Sequence, residues 1–191
     1  DVLTLWNFCR FEKAWSLDEP SAWCAAFSIA DNAVLEYSDD LNHYYSSGYG
    51  GDERLFININ CHSLQDLLQF IQSNSTDDHL ARVFITHSTT MRLFLVSLGA
   101  FRDDIVPTRH NFAQKSSRAW RTSLISSMAT NFVVIQHTCA VDGNDLSIFY
   151  NEKPLMVPGC ERPGFCKQAT FVRLFQRFVD ANCDELYCSR D

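Results

Sequence analysis

Between Trp23 and Tyr45 the apolar residues Trp23, Phe27, Ile29, Val34, Leu35 and Leu41 fall near one stripe at helical spacing, with acids on the other side. The run Ser46 to Asp52, SSGYGGD, is expected to end that helix, because its three glycines permit backbone angles that other residues resist. Leu64 to Ile71 predicts a second amphipathic helix with Ser63 as its N-cap, followed by a polar loop from Ser73 to His79. Val83-Phe84-Ile85 reads as a short buried strand that runs into Thr86-His87-Ser88-Thr89-Thr90. Met91 to Leu98 then reads as a helix stopped by Gly99. Asn131 to His137 and Leu146 to Tyr150 predict two strands joined around Asp142-Gly143-Asn144, and Phe171 to Val179 a final amphipathic helix. There is no internal repeat and no low-complexity tract.

These elements make an α/β or α+β chain. Helices dominate the first third and strands begin only after Arg82, so residues 1–80 are expected to form a mainly helical portion and 81–191 a sheet-bearing one. So few strands predict a sheet that takes others from outside this stretch. Hydrophobic residues at 46% and charged residues at 20% fit a globular chain and exclude a disordered one. A net charge of -7 argues against a general nucleic-acid binder, since affinity for the phosphate backbone rests on Lys and Arg. Arg92 and Arg102 bracket the most apolar stretch, so no membrane span is expected.

The eight cysteines, Cys9, Cys24, Cys61, Cys139, Cys160, Cys166, Cys183 and Cys188, change the picture further. No CxxC occurs, and the gaps within Cys160–Cys166 and Cys183–Cys188 exceed the spacing of a tight zinc knuckle. Disulfides, and with them a secreted or lumenal location, are the better reading, and no metal or cofactor is expected. Asn74-Ser75-Thr76 is the single N-glycosylation sequon and sits in a polar stretch. Residue 1 is Asp, with neither an initiator Met nor a signal peptide, from which a processed chain that lacks upstream material is expected.

Among the six histidines, His43, His62 and His79 lie in polar surroundings and read as surface residues, while His137 ends a strand beside Cys139. His87 differs, because it ends an apolar run among hydroxyl residues and precedes a helix, the place where α/β proteins bind ligands. From Arg102 to Arg121 the residues Arg102, Arg109, Lys115, Arg118 and Arg121 reverse the sign of an acidic chain. Such a cluster suits a phosphorylated ligand, because guanidinium forks match phosphate oxygens; its bland alternative is a solvated surface segment.

The stretch VFITHSTTMRLFLVSLGAFRD resembles the strand, HAE-type motif and helix of the inositol-polyphosphate phosphatase branch of the histidine acid phosphatase and phytase superfamily. The resemblance is collinear through SSGYGGD, SSRAWRTSLISSMATNFVVIQH, LSIFYNEKPLMVPGC and the pair Cys160 and Cys166. It implies a histidine-phosphatase-like mixed sheet flanked by helices, completed by an N-terminal part or companion chain. The family's nucleophilic histidine belongs to an RHGxRxP motif that this chain lacks; Arg109-His110-Asn111 shares only its first two letters. In the second motif His87 matches the phosphate-contacting histidine, Ser88 takes the alanine place, and Thr89 stands where the proton-donating acid belongs. A threonine hydroxyl cannot release a proton near neutral pH, and general-acid help is worth about 10²–10⁴ in rate. Asp77 and Asp78 are the nearest preceding acids but lie before the strand.

The resemblance therefore implies either an impaired or inactive relative, a pseudoenzyme with a storage, carrier or recognition role, or an active phosphomonoesterase when joined to its companion. Arg118, Arg121 and Lys115 are the expected substrate contacts. It pairs Cys9 with Cys24, Cys160 with Cys166, and Cys183 with Cys188. Cys139, or else Cys61, would tie a heterodimeric companion chain covalently, with a Cys61–Cys139 bond as the alternative.

Overall fold

A computed structural model describes the chain apart from Leu17, Asn74, Thr76, residues 140–142 and 189–191, and the side chains of Lys115 and Cys139. The glycosylation sequon and the start of the predicted turn at Asp142 thus lie outside the described residues. Helix α1 (Val2–Trp15) opens on Asp1, whose carboxylate accepts from the Leu3 N–H, and buries Trp6 and Cys9. The Trp6 indole N–H reaches Asn32 at 3.0 Å, and the Cys9–Cys24 disulfide fastens α1 to a 3-10 turn at Cys24–Ala26.

Helix α2 (Ile29–Ser47) begins six residues after Trp23, the expected start, because Ser28 and Asp31 form a reciprocal capping box that fixes the first turn. Its buried face also differs from the expected stripe. Tyr37, Asp40, Tyr44 and Ser47 point inward, whereas Ile29 is 91% exposed and Val34 52% exposed. The glycines that follow act by size rather than by left-handed angles. None of Gly48, Gly50 or Gly51 has positive φ, and a Cβ at Gly48 would sit 2.6 Å from the Trp120 ring.

Asp52 caps the short α3 (Glu53–Asn58) by accepting from the Leu55 N–H. In α4 (Cys61–Gln72) the predicted amphipathic pattern is realised, with Cys61, Leu64, Leu68 and Ile71 buried on one side. It starts two residues before Ser63, which therefore lies inside the helix, and Asn60 takes the capping position. Helix α5 (Ser88–Leu98) ends at Gly99 in the left-handed conformation (φ 73°), as the glycine predicts.

The run Val83-Phe84-Ile85 corrects the sequence reading. It is not a strand, and its side chains are 84%, 73% and 97% exposed. A strand needs a neighbour to share its backbone N–H and C=O groups, and among the described residues no strand pairs with it.

After the single turn α6 (Thr122–Ile125), strands β1 (Phe132–Cys139) and β2 (Gly143–Tyr150) form an antiparallel hairpin that pairs Phe132 with Tyr150 and His137 with Asp145. The other edge of β2 is shared by β3 (Lys153–Pro154) and β4 (Phe165–Lys167), both antiparallel. Leu146, Ile148 and Tyr150 alternate inward along β2, as half-buried strands do. The expected last helix is broken in two. Helix α7 (Gln168–Leu174) stops at Phe175, the chain tightens into a 3-10 turn, and α8 (Cys183–Cys188) follows. Phe171, Phe175 and Phe178 stay buried, so the apolar pattern survives the change of helix type.

The result is an α/β arrangement, an antiparallel sheet flanked by helices. One cluster of buried side chains joins Tyr44, Leu64 and Leu68 from the first 80 residues to Leu95, Trp120, Ile148 and Phe171. Cys160 and Cys166 are bonded, as the resemblance implies. Cys183 is bonded to Cys61 across 122 residues, which corrects both the Cys183–Cys188 pairing and the alternatives for Cys61, and Cys188 is a free, exposed thiol. Pairing depends on what the fold brings together, and here α8 returns beside the start of α4.

Candidate functional site around His87, Thr89 and Arg92

Helix α5 is anchored by Leu93, Leu95, Val96 and Leu98, all buried, so its amino end is held firmly while the residues before it stay exposed. His87 occupies the N-cap in an extended conformation, and its carbonyl accepts from the Met91 N–H at 3.1 Å. No side chain caps this end and no acid lies in the first turn, which leaves peptide N–H groups and the positive end of the helix dipole facing outward. His87 and Thr89 are both exposed there.

Directly beneath lies a residue that the sequence reading noticed only as a bracket to an apolar stretch. Arg92 is 4% exposed. Its Nε donates to Ser47 Oγ at 2.9 Å, Nη1 to Ser126 Oγ at 3.1 Å and Nη2 to Thr89 Oγ1 at 3.1 Å. All three partners are neutral hydroxyls, and among the described residues no carboxylate lies within ion-pair distance. Burial pushes the Arg92 pKa down, opposed by the more distant charge of Asp39. Burial, and then the Arg92 charge, also push His43 down. His43 is half-buried on α2, 3.7 Å from Asp39, and not the surface residue its sequence surroundings suggest. The available signal for Arg92 was an arginine inside the apolar run MRLFLV, where a charge needs a reason.

The predicted basic cluster is placed elsewhere in the chemistry. Arg118, 8% exposed, donates from Nε to Asp40 at 2.6 Å and from Nη2 to Glu36 at 3.1 Å. Arg121 Nη2 lies 2.9 Å from both oxygens of Glu36. Asp40 also accepts from the N–H and hydroxyl of Thr122, at 2.7 and 2.6 Å, and Asp103 accepts from the N–H groups of Ala119 and Trp120. Four carboxyl and guanidinium groups thus stitch α2 to the segment before α6. Burial pushes the Asp40 pKa up against the pull of Thr122 and Arg118; burial likewise opposes, but does not outweigh, the hydrogen bonds and charges from Ser123 and Arg121 that hold Glu36 low. The side chain of Lys115 lies outside the described residues.

Other candidates are dispersed. Arg109 bonds to His110 and the two line an open cleft of about 650 Å³ with Tyr45 and Thr108, which contains neither His87 nor Thr89. His137 meets Ser147 at 2.9 Å on the hairpin, and His62 meets Asp184 at 3.4 Å. Asp78 is bonded to Arg82 at 3.0 Å, which holds its carboxyl below the usual range and makes it a poor proton reserve. Among the described residues no group of three or more His, Cys, Asp or Glu is arranged to hold a metal ion, and no helix is long and apolar enough to cross a membrane.

The sequence signature of the histidine phosphatase superfamily (branch 2) matches residues 1–152. Multiple inositol polyphosphate phosphatase 1 of Drosophila melanogaster is 36% identical over 190 residues, covering 98% of this chain and 40% of that protein. The proteins of the same name from Gallus gallus and Homo sapiens are 27% and 29% identical, over 78% and 69% of this chain and 35% and 28% of their own lengths. The chain therefore spans less than half the length of these relatives. With a family signature across most of its residues and a relative of this identity along nearly all of it, the chain belongs to the histidine phosphatase superfamily, branch 2.

Proposed function

We propose that this chain is the C-terminal portion of a secreted or lumenal histidine-phosphatase-like protein that holds a phosphorylated ligand against His87 and hydrolyses inositol phosphate esters poorly or not at all. The observation that carries the reading is Thr89. It stands two residues after His87 on the uncapped end of α5, and its hydroxyl is bound to a guanidinium rather than to an ionisable acid. Inorganic or esterified phosphate suits that end of a helix, where peptide N–H groups and the dipole favour an anion.

In this reading an N-terminal companion of the same precursor supplies RHGxRxP and the strand neighbours that Val83-Phe84-Ile85 lacks. Of the two cysteines expected to tie it covalently, Cys61 is committed to Cys183, which leaves Cys139. Residues 1–80 act as the helical portion and 81–191 as the sheet-bearing one, with a glycan at Asn74. Arg118 serves to hold α2 in place, and Arg121, with a side chain 36% exposed but bonded to Glu36, would have to share its guanidinium to meet a ligand phosphate. The three described disulfides and the family support the compartment.

The test uses the protein carrying this chain together with the segment that bears RHGxRxP. Titration calorimetry with inorganic phosphate and with inositol hexakisphosphate should show binding that His87→Ala weakens, while phosphate release from the hexakisphosphate stays near background. Absence of His87-dependent binding would sink the pocket. Robust release that His87→Ala abolishes would establish the active phosphomonoesterase suggested by the name of the relatives.

A further inference from the structure

The hydrogen bond from Arg92 to Thr89 fixes more than a position. A hydroxyl oxygen that accepts from a guanidinium must direct its own hydrogen elsewhere, and Thr89 is exposed at the amino end of α5, two residues after His87. The nearby positive charge also draws electron density from the oxygen and makes the O–H a better donor. Arg92 has no carboxylate within ion-pair distance among the described residues, so its charge is not spent on a fixed partner. Thr89 can therefore donate a hydrogen bond to an oxygen bearing negative charge, yet it cannot give that oxygen a proton. The first turn of α5 contains no acid to do so, and Asp78 is held by Arg82.

We propose that Arg92 is a positioning residue that makes Thr89 a hydrogen-bond donor to the leaving oxygen, and that the site is thereby selective for phosphoryl groups carried on oxygens that leave as stable anions. The chemical class is aryl phosphate esters and phosphoanhydrides, in contrast to alkyl esters such as those of an inositol ring. The inference rests on the reading that a phosphoryl group meets His87 and that an imidazole nucleophile is supplied by the RHGxRxP segment. That nitrogen attacks phosphorus as the bond from phosphorus to the leaving oxygen breaks, both electrons going to the oxygen. The oxygen departs as an anion, unprotonated, and accepts the Thr89 hydrogen bond. Water then attacks the phosphoimidazole, the P–N electrons return to the ring nitrogen, and phosphate is released with one proton lost to solvent. An alkoxide formed in the first step is far too basic to leave without a proton; a phenolate or phosphate is not.

The experiment compares kcat for nitrophenyl phosphates of graded leaving-group acidity, for pyrophosphate, and for glycerol phosphate, in the protein with its RHGxRxP segment. The aryl and anhydride arms should exceed the alkyl arm by at least about 10²-fold, the lower end of what a general acid supplies. Arg92→Met should lower kcat for the aryl series roughly tenfold, the scale of one charge-assisted hydrogen bond, and steepen its dependence on leaving-group acidity. Arg92→Lys should recover part of both. The slope is the decisive readout, because a variant that merely loosened the fold would lower every substrate alike. A flat dependence in the parent protein, an unchanged slope in Arg92→Met, or His87-dependent phosphate binding without turnover of any substrate would overturn the inference and leave the phosphate-holding site standing. Absence of that binding would instead remove the underlying reading.

Discussion

In Thr89→Glu the new carboxylate replaces a hydroxyl whose oxygen lies 3.1 Å from Arg92 Nη2, so the restored acid would sit against a buried cation. Two unit charges about 4 Å apart interact by roughly 4 kcal/mol at an effective dielectric of about 20. Position 89 is exposed, and solvent reduces this to the observed range for carboxylates beside arginine, a pKa about 1–3 units low. A glutamate normally near 4.3 then titrates at about 3.3 or below. At pH 5 its protonated fraction falls from about one in six to about one in fifty or less. Only that fraction can donate a proton, so a factor of about eight or more of the 10²–10⁴ that a general acid contributes is forfeited in the single variant.

Adding Arg92→Gln removes the charge while keeping an amide to meet Ser47 or Ser126. The double variant should release phosphate from inositol hexakisphosphate at pH 5 about tenfold faster than Thr89→Glu alone. In its pH–rate profile, activity should fall as pH rises through about 4 to 5, whereas the single variant should already lose activity as pH rises through about 3.3 or below. Thermal melts of both would confirm equal folding. Equal rates and coincident pH profiles for the two variants would refute the claim that Arg92 governs the charge state at position 89.

Asp40→Ala removes the acceptor for Arg118 Nε and for both Thr122 donors inside the core, which should cost about 3–5 kcal/mol and lower Tm by roughly 6–20 °C; a Tm within 2 °C of the parent, roughly the shift of one kcal/mol, would contradict it. Glu36 is held below its ordinary pKa of 4.5 in the fold, so its ion pairs contribute stability above that pH and lose it as pH falls through the lower folded value. Glu36→Gln should therefore flatten the acid limb of a stability–pH curve, and an unchanged limb would count against the network. Peptide mapping without reduction should recover Cys61 joined to Cys183 and Cys188 open to alkylation, with a Cys183–Cys188 fragment as the contrary outcome. Loop-closure entropy puts removal of the Cys61–Cys183 bond at about 5 kcal/mol, against about 2 for Cys160–Cys166, whose sequence separation is 6.

The elements that the sequence revealed most directly were those whose periodicity settles their burial without help from elsewhere. Cys61, Leu64, Leu68 and Ile71 recur at helical spacing and bury one face of α4, and the alternation of Leu146, Ile148 and Tyr150 is strand spacing. The start of α2 was hidden because a capping box overrides a run of apolar residues, and Trp23 and Phe27 look helical until Ser28 and Asp31 are weighed. Val83-Phe84-Ile85 misled because β-structure is a property of pairs, and apolar character specifies no partner. The Cys61–Cys183 bond was beyond reach for the same reason: spacing along the chain says little about which residues meet across 122 positions. At the candidate site, His87 and Thr89 came from the resemblance, which pointed to no role for Arg92. The family pattern is carried by its motif letters, while the guanidinium that bonds Thr89 lies three residues on, inside an apolar run.

That displacement changes where an anionic ligand would feel the protein. The sequence has its positive charge concentrated between Arg102 and Arg121, and a phosphate would be expected to settle there. In the fold Glu36 and Asp40 face Arg118 and Arg121 at 2.6 to 3.1 Å, so much of that field closes on itself within the protein. Among the described residues Arg92 is answered by hydroxyls alone, and it is shielded from solvent, so its field is less screened toward Thr89 and the helix end that carries His87. On the proposed reading, in which Thr89 stands where the family's acid belongs, the buried cation beneath it would orient the hydroxyl as a hydrogen-bond donor, so the site would be rebuilt around that donor rather than simply left without its acid.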